Sequence, residues 1–140
     1  MATEAFGDIL STCSKGNVLH ITLSSFGFKH GYLQADLVWD VRFLPNPFWV
    51  PELQPHTGLE AEVARHVLEG ESGARFLALL EPLLLFLLEE YAARGRESIT
   101  LAVGCTGGKH RSVAVVERLR SLLEAKGLHP AVCHRDIDKE

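Results

Sequence analysis

The 140-residue sequence has few cysteines, no excess of basic residues and no long uninterrupted apolar run, and each shortage narrows what the protein can be. Its three cysteines, Cys13, Cys105 and Cys133, form no C-x-x-C pair. Neither a disulfide framework nor a cysteine-based zinc site is expected, and a reducing, cytoplasmic location fits. Fourteen Lys and Arg stand against 18 Asp and Glu, a net charge of -4, so no global field would capture a polyanion. The most apolar window, "FLALLEPLLLFLLEE", is short for a membrane span and is broken by Glu81 and Pro82, which reads as a core helix and implies no membrane partner. "MATEAFGDIL" lacks a basic segment followed by an apolar one, so no secretory signal is expected. His20, His30, His56, His66 and His129 show no metal-ligand spacing such as H-E-x-x-H, so neither a metal nor another cofactor is expected.

With 46% hydrophobic and 23% charged residues, the composition suits one compact domain over 1–140. "NVLHITLSSF" (17–26) reads as a first buried strand and "DLVWDVRFL" (36–44) as a second extended segment. "PNPFWVPELQP" (45–55) carries four prolines, which bar helix and predict an ordered loop or a lid. "LEAEVARHVLEG" (59–70) predicts a short helix with charges turned outward. A longer helix follows, with Ser72 as its N-cap, running to about Gly95 and kinked or divided at Pro82. The last quarter predicts a strand at 98–104, a helix at about 110–126 stopped by Gly127, and a strand at 130–135, a right-handed βαβ unit. The expected fold class is α/β: a small, mostly parallel sheet of about four strands flanked by helices.

Between that strand and helix lies "GCTGGKHRS" (104–112), where an open parallel sheet usually places its ligand. Gly104, Gly107 and Gly108 let backbone approach a ligand closely, and successive N–H groups at a helix start form a concave anion site. Thr106 and Ser112 add hydroxyl donors, Lys109 and His110 add charge, and Arg111 offers a fork for two phosphate oxygens. The string is one residue short of G-x-x-x-x-G-K-[ST], and it lacks G-x-G-x-x-G. It does match C-x-x-G-x-x-R-[ST] through Cys105, Gly108, Arg111 and Ser112, the pattern of cysteine-dependent phosphatases. Three readings therefore stand at this point. The loop holds a phosphate; or it attacks one, with Cys105 as nucleophile, Arg111 as clamp and Asp40 as acid; or Cys105 is a small buried hydrophobe at a tight turn.

Asp40 and Arg42 lie two apart on an extended segment and so face one side, where they suit either a ligand or each other. His134 and Arg135 fall at the end of the last strand, on the same edge as the 104–112 loop. Trp39 and Trp49 could stack on a sugar ring, but aromatic residues beside apolar runs usually pack inside, and both read as core.

"GCTGGKHRSV", with "FGFKHG", "DVRFLPNPFW", "TGLE" and "HRDI" in the same order, resembles the C-terminal domain of the RapZ RNase adapter family over roughly residues 17–137. The resemblance implies a sensor more than an enzyme, a stand-alone domain without the family's kinase-like N-terminal domain. It implies a phosphorylated small-molecule ligand of the aminosugar phosphate class, and as partners a small RNA, a ribonuclease and a separate kinase-like protein. The implied pocket comprises Asp40, Arg42, Asn46, the run Cys105, Thr106, Gly107, Gly108, Lys109, His110, Arg111 and Ser112, and then His134 and Arg135, with Lys29 as an RNA contact. Phe48 stands where some members carry His, and "HRDIDKE" replaces the lysine-rich tail of RNA-binding members.

Overall fold

The computed structural model describes residues 19–140. Four strands, β1 (His20–Gly27), β2 (Leu37–Asp40), β3 (Ser98–Cys105) and β4 (Ala131–His134), and three helices, α1 (Ala61–Leu68), α2 (Glu71–Ala93) and α3 (Arg111–Ala125), follow in the order β1-β2-α1-α2-β3-α3-β4. Short 3₁₀ turns form at Phe28–His30 and Pro47–Trp49. The sheet order is β2-β3-β1-β4 and every pairing is parallel, an α/β fold. β1 therefore lies between the two strands of the β3-α3-β4 unit.

Register decides which residues form the core. Ile21 and Leu23 lie beside Ile99 and Leu101 on the face covered by helices, and Val103 and Cys105 continue that row. The other face carries the partly or wholly exposed Thr22, Ser24, Ser98 and Thr100. At its carboxyl end that second face is closed by aromatic rings, Phe26 against Phe28 at 4.7 Å and against Tyr32 at 6.2 Å. The β1-to-β2 connection contains no α-helix; residues 28–36 themselves return the chain to the start of the next strand.

Some boundaries differ from expectation. Residues 17 and 18 of the expected first strand lie outside the described residues, as does Cys13. Helix α2 is capped by Gly70 rather than Ser72, and Glu71 already occupies its first turn. Pro82 neither divides nor ends α2, because Leu77, Leu80, Leu84, Leu85 and Leu88 are buried on both sides of it and their packing offsets the backbone bond that proline removes. No described helix is long and apolar enough to cross a membrane.

The strands end at Gly27, Asp40, Cys105 and His134, which places four chain turns on one edge of the sheet. The candidate site lies there.

Candidate functional site

Strand β3 delivers Cys105 buried, and α3 begins six residues later at Arg111. Glycine is required where this loop meets the end of β1. Gly108 has φ of +76°, and a Cβ on it would lie 2.6 Å from the Gly27 nitrogen and 2.9 Å from Cβ of Asp136. A Cβ on Gly27 would lie 2.3 Å from the carbonyl carbon of Gly107. The two backbones thus touch, and Asp136 fastens the contact by accepting the Gly27 N–H at 2.8 Å.

Beneath the loop, the Cys105 thiol donates to Ser112 Oγ at 3.2 Å and accepts the Gly108 N–H at 3.3 Å. Thr106 accepts the Lys29 N–H through its carbonyl at 3.1 Å, which draws Lys29 to the loop. No side chain caps the start of α3, so the positive end of the helix keeps its capacity for an anion.

His110 and Arg111 are 7% and 5% exposed. His110 Nε2 donates to the Gln54 carbonyl oxygen at 3.0 Å, and burial pushes its pKa down, with the Lys109 and Arg111 charges adding to the effect and the Gln54 bond opposing it. His110 is therefore an anchor for the 45–55 segment more than a source of charge. Arg111 Nη1 donates to the carbonyl oxygens of Arg42 and Leu44 at 2.6 and 3.3 Å, and Nη2 to Thr106 Oγ1 at 3.2 Å. Part of the fork expected to grip phosphate ties the second strand's outgoing chain to the loop.

A cleft of about 600 Å³ opens above these groups. From the loop it is lined by Cys105, Thr106, Gly107, Lys109, His110 and Arg111. Lys29 and Lys139 line it further, with Glu140, and Asn46, Phe48, Trp49 and Gln54 form the proline-rich wall. Lys29, expected as an RNA contact, thus shares the cleft with the loop. Asn46 Oδ1 caps its own turn by accepting the Phe48 N–H at 3.1 Å.

Other expected residues reach the same edge without lining the cleft. Asp40 accepts from Arg42 Nε at 2.9 and 3.1 Å and from Nη2 at 2.6 Å, and the Arg42 guanidinium lies 4.1 Å over the Phe28 ring. The hydrogen bonds from Arg42 hold the Asp40 carboxyl below its usual range. His134 turns to the helix side, where Nδ1 lies 2.7 Å from Ser25 Oγ and Nε2 lies 2.7 Å from Glu117 Oε2. Arg135 binds Asp136 through Nε at 2.9 Å and Nη2 at 2.8 Å, and Nη2 also reaches the Gly31 carbonyl oxygen at 2.7 Å.

Two groups escaped the sequence reading. Asp136 is fully buried. Burial alone would raise its pKa, but hydrogen bonds from Arg135, Lys139 and the Gly27 N–H outweigh it and hold the carboxyl far below the usual range. Trp49, expected in the core, is 77% exposed, because the Pro47–Trp49 turn buries Pro47 and directs the indole outward. Among the described residues no three His, Cys, Asp or Glu side chains are grouped to hold a metal.

Comparison with known proteins points to one family. The profile of the RapZ C-terminal domain matches residues 19–138. The chain is 46% identical over 138 residues to a nucleotide-binding protein of Caldicellulosiruptor saccharolyticus, covering 98% of this chain and 47% of that one. It is 50% identical over 123 residues to a nucleotide-binding protein of Cutibacterium acnes (87% and 42%) and 51% identical over 127 residues to one of Anaeromyxobacter (90% and 43%). The chain thus spans less than half the length of these relatives.

Proposed function

Because the chain belongs to the RapZ C-terminal domain family, we propose that it is a regulatory domain whose cleft binds a small phosphorylated molecule at the 104–112 loop. The observation that carries this is the pair of cleft lysines without an ion partner among the described residues. Of its four cations, Lys139 pairs with Asp136 at 2.7 Å, and Arg111 is bound to backbone carbonyls. Lys29 and Lys109 carry no ion pair among the described residues. Two free ammonium groups beside the start of α3 match a phosphate monoester, whose charge is about -1.5 to -2 at neutral pH. The name shared by the relatives, nucleotide-binding protein, suits a phosphorylated ligand. An aminosugar phosphate is the class that the family resemblance favours.

The arrangement supports holding over hydrolysis. Cys105 is 2% exposed, and the acid that phosphoryl transfer would draw on, Asp40, is gripped by Arg42 away from the cleft. A sensor needs only the reversible half of that chemistry.

The test is a thermal-shift series with glucosamine 6-phosphate, glucose 6-phosphate, AMP and inorganic phosphate. A ligand bound only by the folded state raises its melting temperature by mass action. A selective rise that is lost in the Lys29→Ala, Lys109→Ala double variant supports the reading. A flat response to every phosphate would discard it.

A further inference from the structure

The cleft also has an aromatic lining. Phe48 and Trp49 are 49% and 77% exposed and stand edge to face with ring centres 5.1 Å apart, forming part of the cleft wall. An indole left in water forgoes the large apolar burial that tryptophan side chains ordinarily contribute. The turn that presents it is firmly held. Pro47 is buried, Asn46 Oδ1 accepts the Phe48 N–H, and the Val50 N–H donates to the Pro47 carbonyl oxygen at 2.9 Å. Further along, the Gln54 carbonyl oxygen is bound to His110, and the Gly58 N–H donates to the Lys109 carbonyl oxygen at 2.9 Å. The aromatic wall is thereby braced against the same loop that would hold phosphate.

We infer that Trp49 is a stacking platform, so that the ligand is a phosphate monoester of a ring compound, with its phosphate at Lys29 and Lys109 and its ring lying on the indole. This rests on the phosphate reading of the cleft and adds its specificity. Both a sugar ring, through its C–H face, and a nucleobase, through its π-face, share this chemistry, whereas an open-chain phosphate of equal charge presents no flat face. Trp49 acts on the ring alone; the phosphate is held by other groups.

The experiment uses Trp39→Phe protein, which leaves Trp49 as the sole tryptophan of the two in the chain. Its emission is titrated with glucose 6-phosphate, sorbitol 6-phosphate, AMP and inorganic phosphate, and affinities are repeated by calorimetry in Trp49→Ala and Trp49→Phe proteins. A ring phosphate should perturb Trp49 emission and bind about tenfold tighter than sorbitol 6-phosphate, the scale of one ring stacked on an aromatic side chain. Whether glucose 6-phosphate or AMP shows the gain identifies the ring. Trp49→Ala should erase that preference and leave inorganic phosphate affinity as it was, while Trp49→Phe retains part of it. Equal affinity for ring and open-chain phosphates, or an equal loss for sugar phosphate and inorganic phosphate in Trp49→Ala, overturns the platform while leaving the phosphate site standing. Failure of every ligand, inorganic phosphate included, overturns both.

Discussion

Arg111 Nη1 donates to the carbonyl oxygen of Arg42 at 2.6 Å, joining the first residue of α3 to the chain leaving β2. The same nitrogen reaches Leu44 and its neighbour Nη2 reaches Thr106, so one guanidinium closes three segments into a single wall. Truncation would leave the buried Leu44 carbonyl oxygen unpaired and release the Arg42 and Thr106 oxygens. Arg111→Ala should cost about 2–4 kcal/mol, the scale of losing hydrogen bonds from a charged donor. Arg111→Lys should recover only part, since a single ammonium cannot reproduce the planar fork. Urea denaturation checks both variants, and a wild-type midpoint for Arg111→Ala would mean that the observed bonds do not hold the wall. Loss of ligand in Arg111→Ala would by itself be ambiguous for the same reason.

Lys29 and Lys109 separate binding from stability. Each lines the cleft without an ion partner among the described residues, so its removal breaks nothing within the fold. Lys29→Ala and Lys109→Ala should each weaken a phosphate ligand by about 5- to 30-fold, one to two kcal/mol, with the unfolding midpoint almost unchanged. Calorimetric titration with inorganic phosphate beside a melting curve measures both quantities. Wild-type affinity in both single variants would remove the charge match as an explanation.

Much of this edge was legible in the sequence because local signals agreed there. The apolar run from Ile99, the glycines and the amphipathic repeat through Leu119 and Leu123 place a strand, a tight loop and a buried helix face in that order. Alternation along Ala131–His134 also puts His134 on the side of Val132, which packs on the core, so its turn away from the cleft follows from period two. Other facts depend on contacts distant in sequence. Nothing near Asp136 shows that it will be buried under Gly27, 109 residues earlier in the chain. Trp49 looked like core by composition, and only the burial of Pro47 turns it outward. The motif supplied Arg111 as a phosphate fork, but the carbonyls of Arg42 and Leu44 that occupy part of it lie 69 and 67 residues away.

Gly108 and Gly127 form a matched pair for testing the contact between loop and β1. Both have positive φ, +76° and +83°, but only at Gly108 would a Cβ meet neighbouring atoms. Gly127→Ala should cost about 1 kcal/mol, the strain of a left-handed alanine alone. Gly108→Ala adds overlap with Gly27 and Asp136, and should cost about 1–3 kcal/mol more. It should also impair phosphate binding, since relief requires the loop to shift from β1. Equal losses in the two variants would show that the approach at Gly108 is not constrained by its neighbours.

Two buried titratable groups contribute to the acid stability. His110 has its pKa lowered by burial, so it is neutral in the folded protein at neutral pH. As pH falls below the ordinary histidine value of about 6.5, the unfolded chain gains a proton that the folded chain refuses, and stability declines through the folded pKa. Asp136 follows at lower pH. Its folded pKa is also lowered, so its contribution is complete above the ordinary carboxylate range and is lost as pH falls through that range toward the folded value. Stability should therefore hold near neutrality and fall in two stages on acidification. Asp136→Asn should lower stability at pH 7 by about 3 kcal/mol, because one of the two oxygens that accept from Gly27, Arg135 and Lys139 becomes a donor and the buried negative charge is lost, and should flatten the second stage. His110→Gln, which can still donate to the Gln54 carbonyl oxygen, should flatten the first stage alone. Urea unfolding between pH 3 and pH 8 resolves the stages, and an Asp136→Asn protein with the wild-type acid limb would show that other carboxylates govern it.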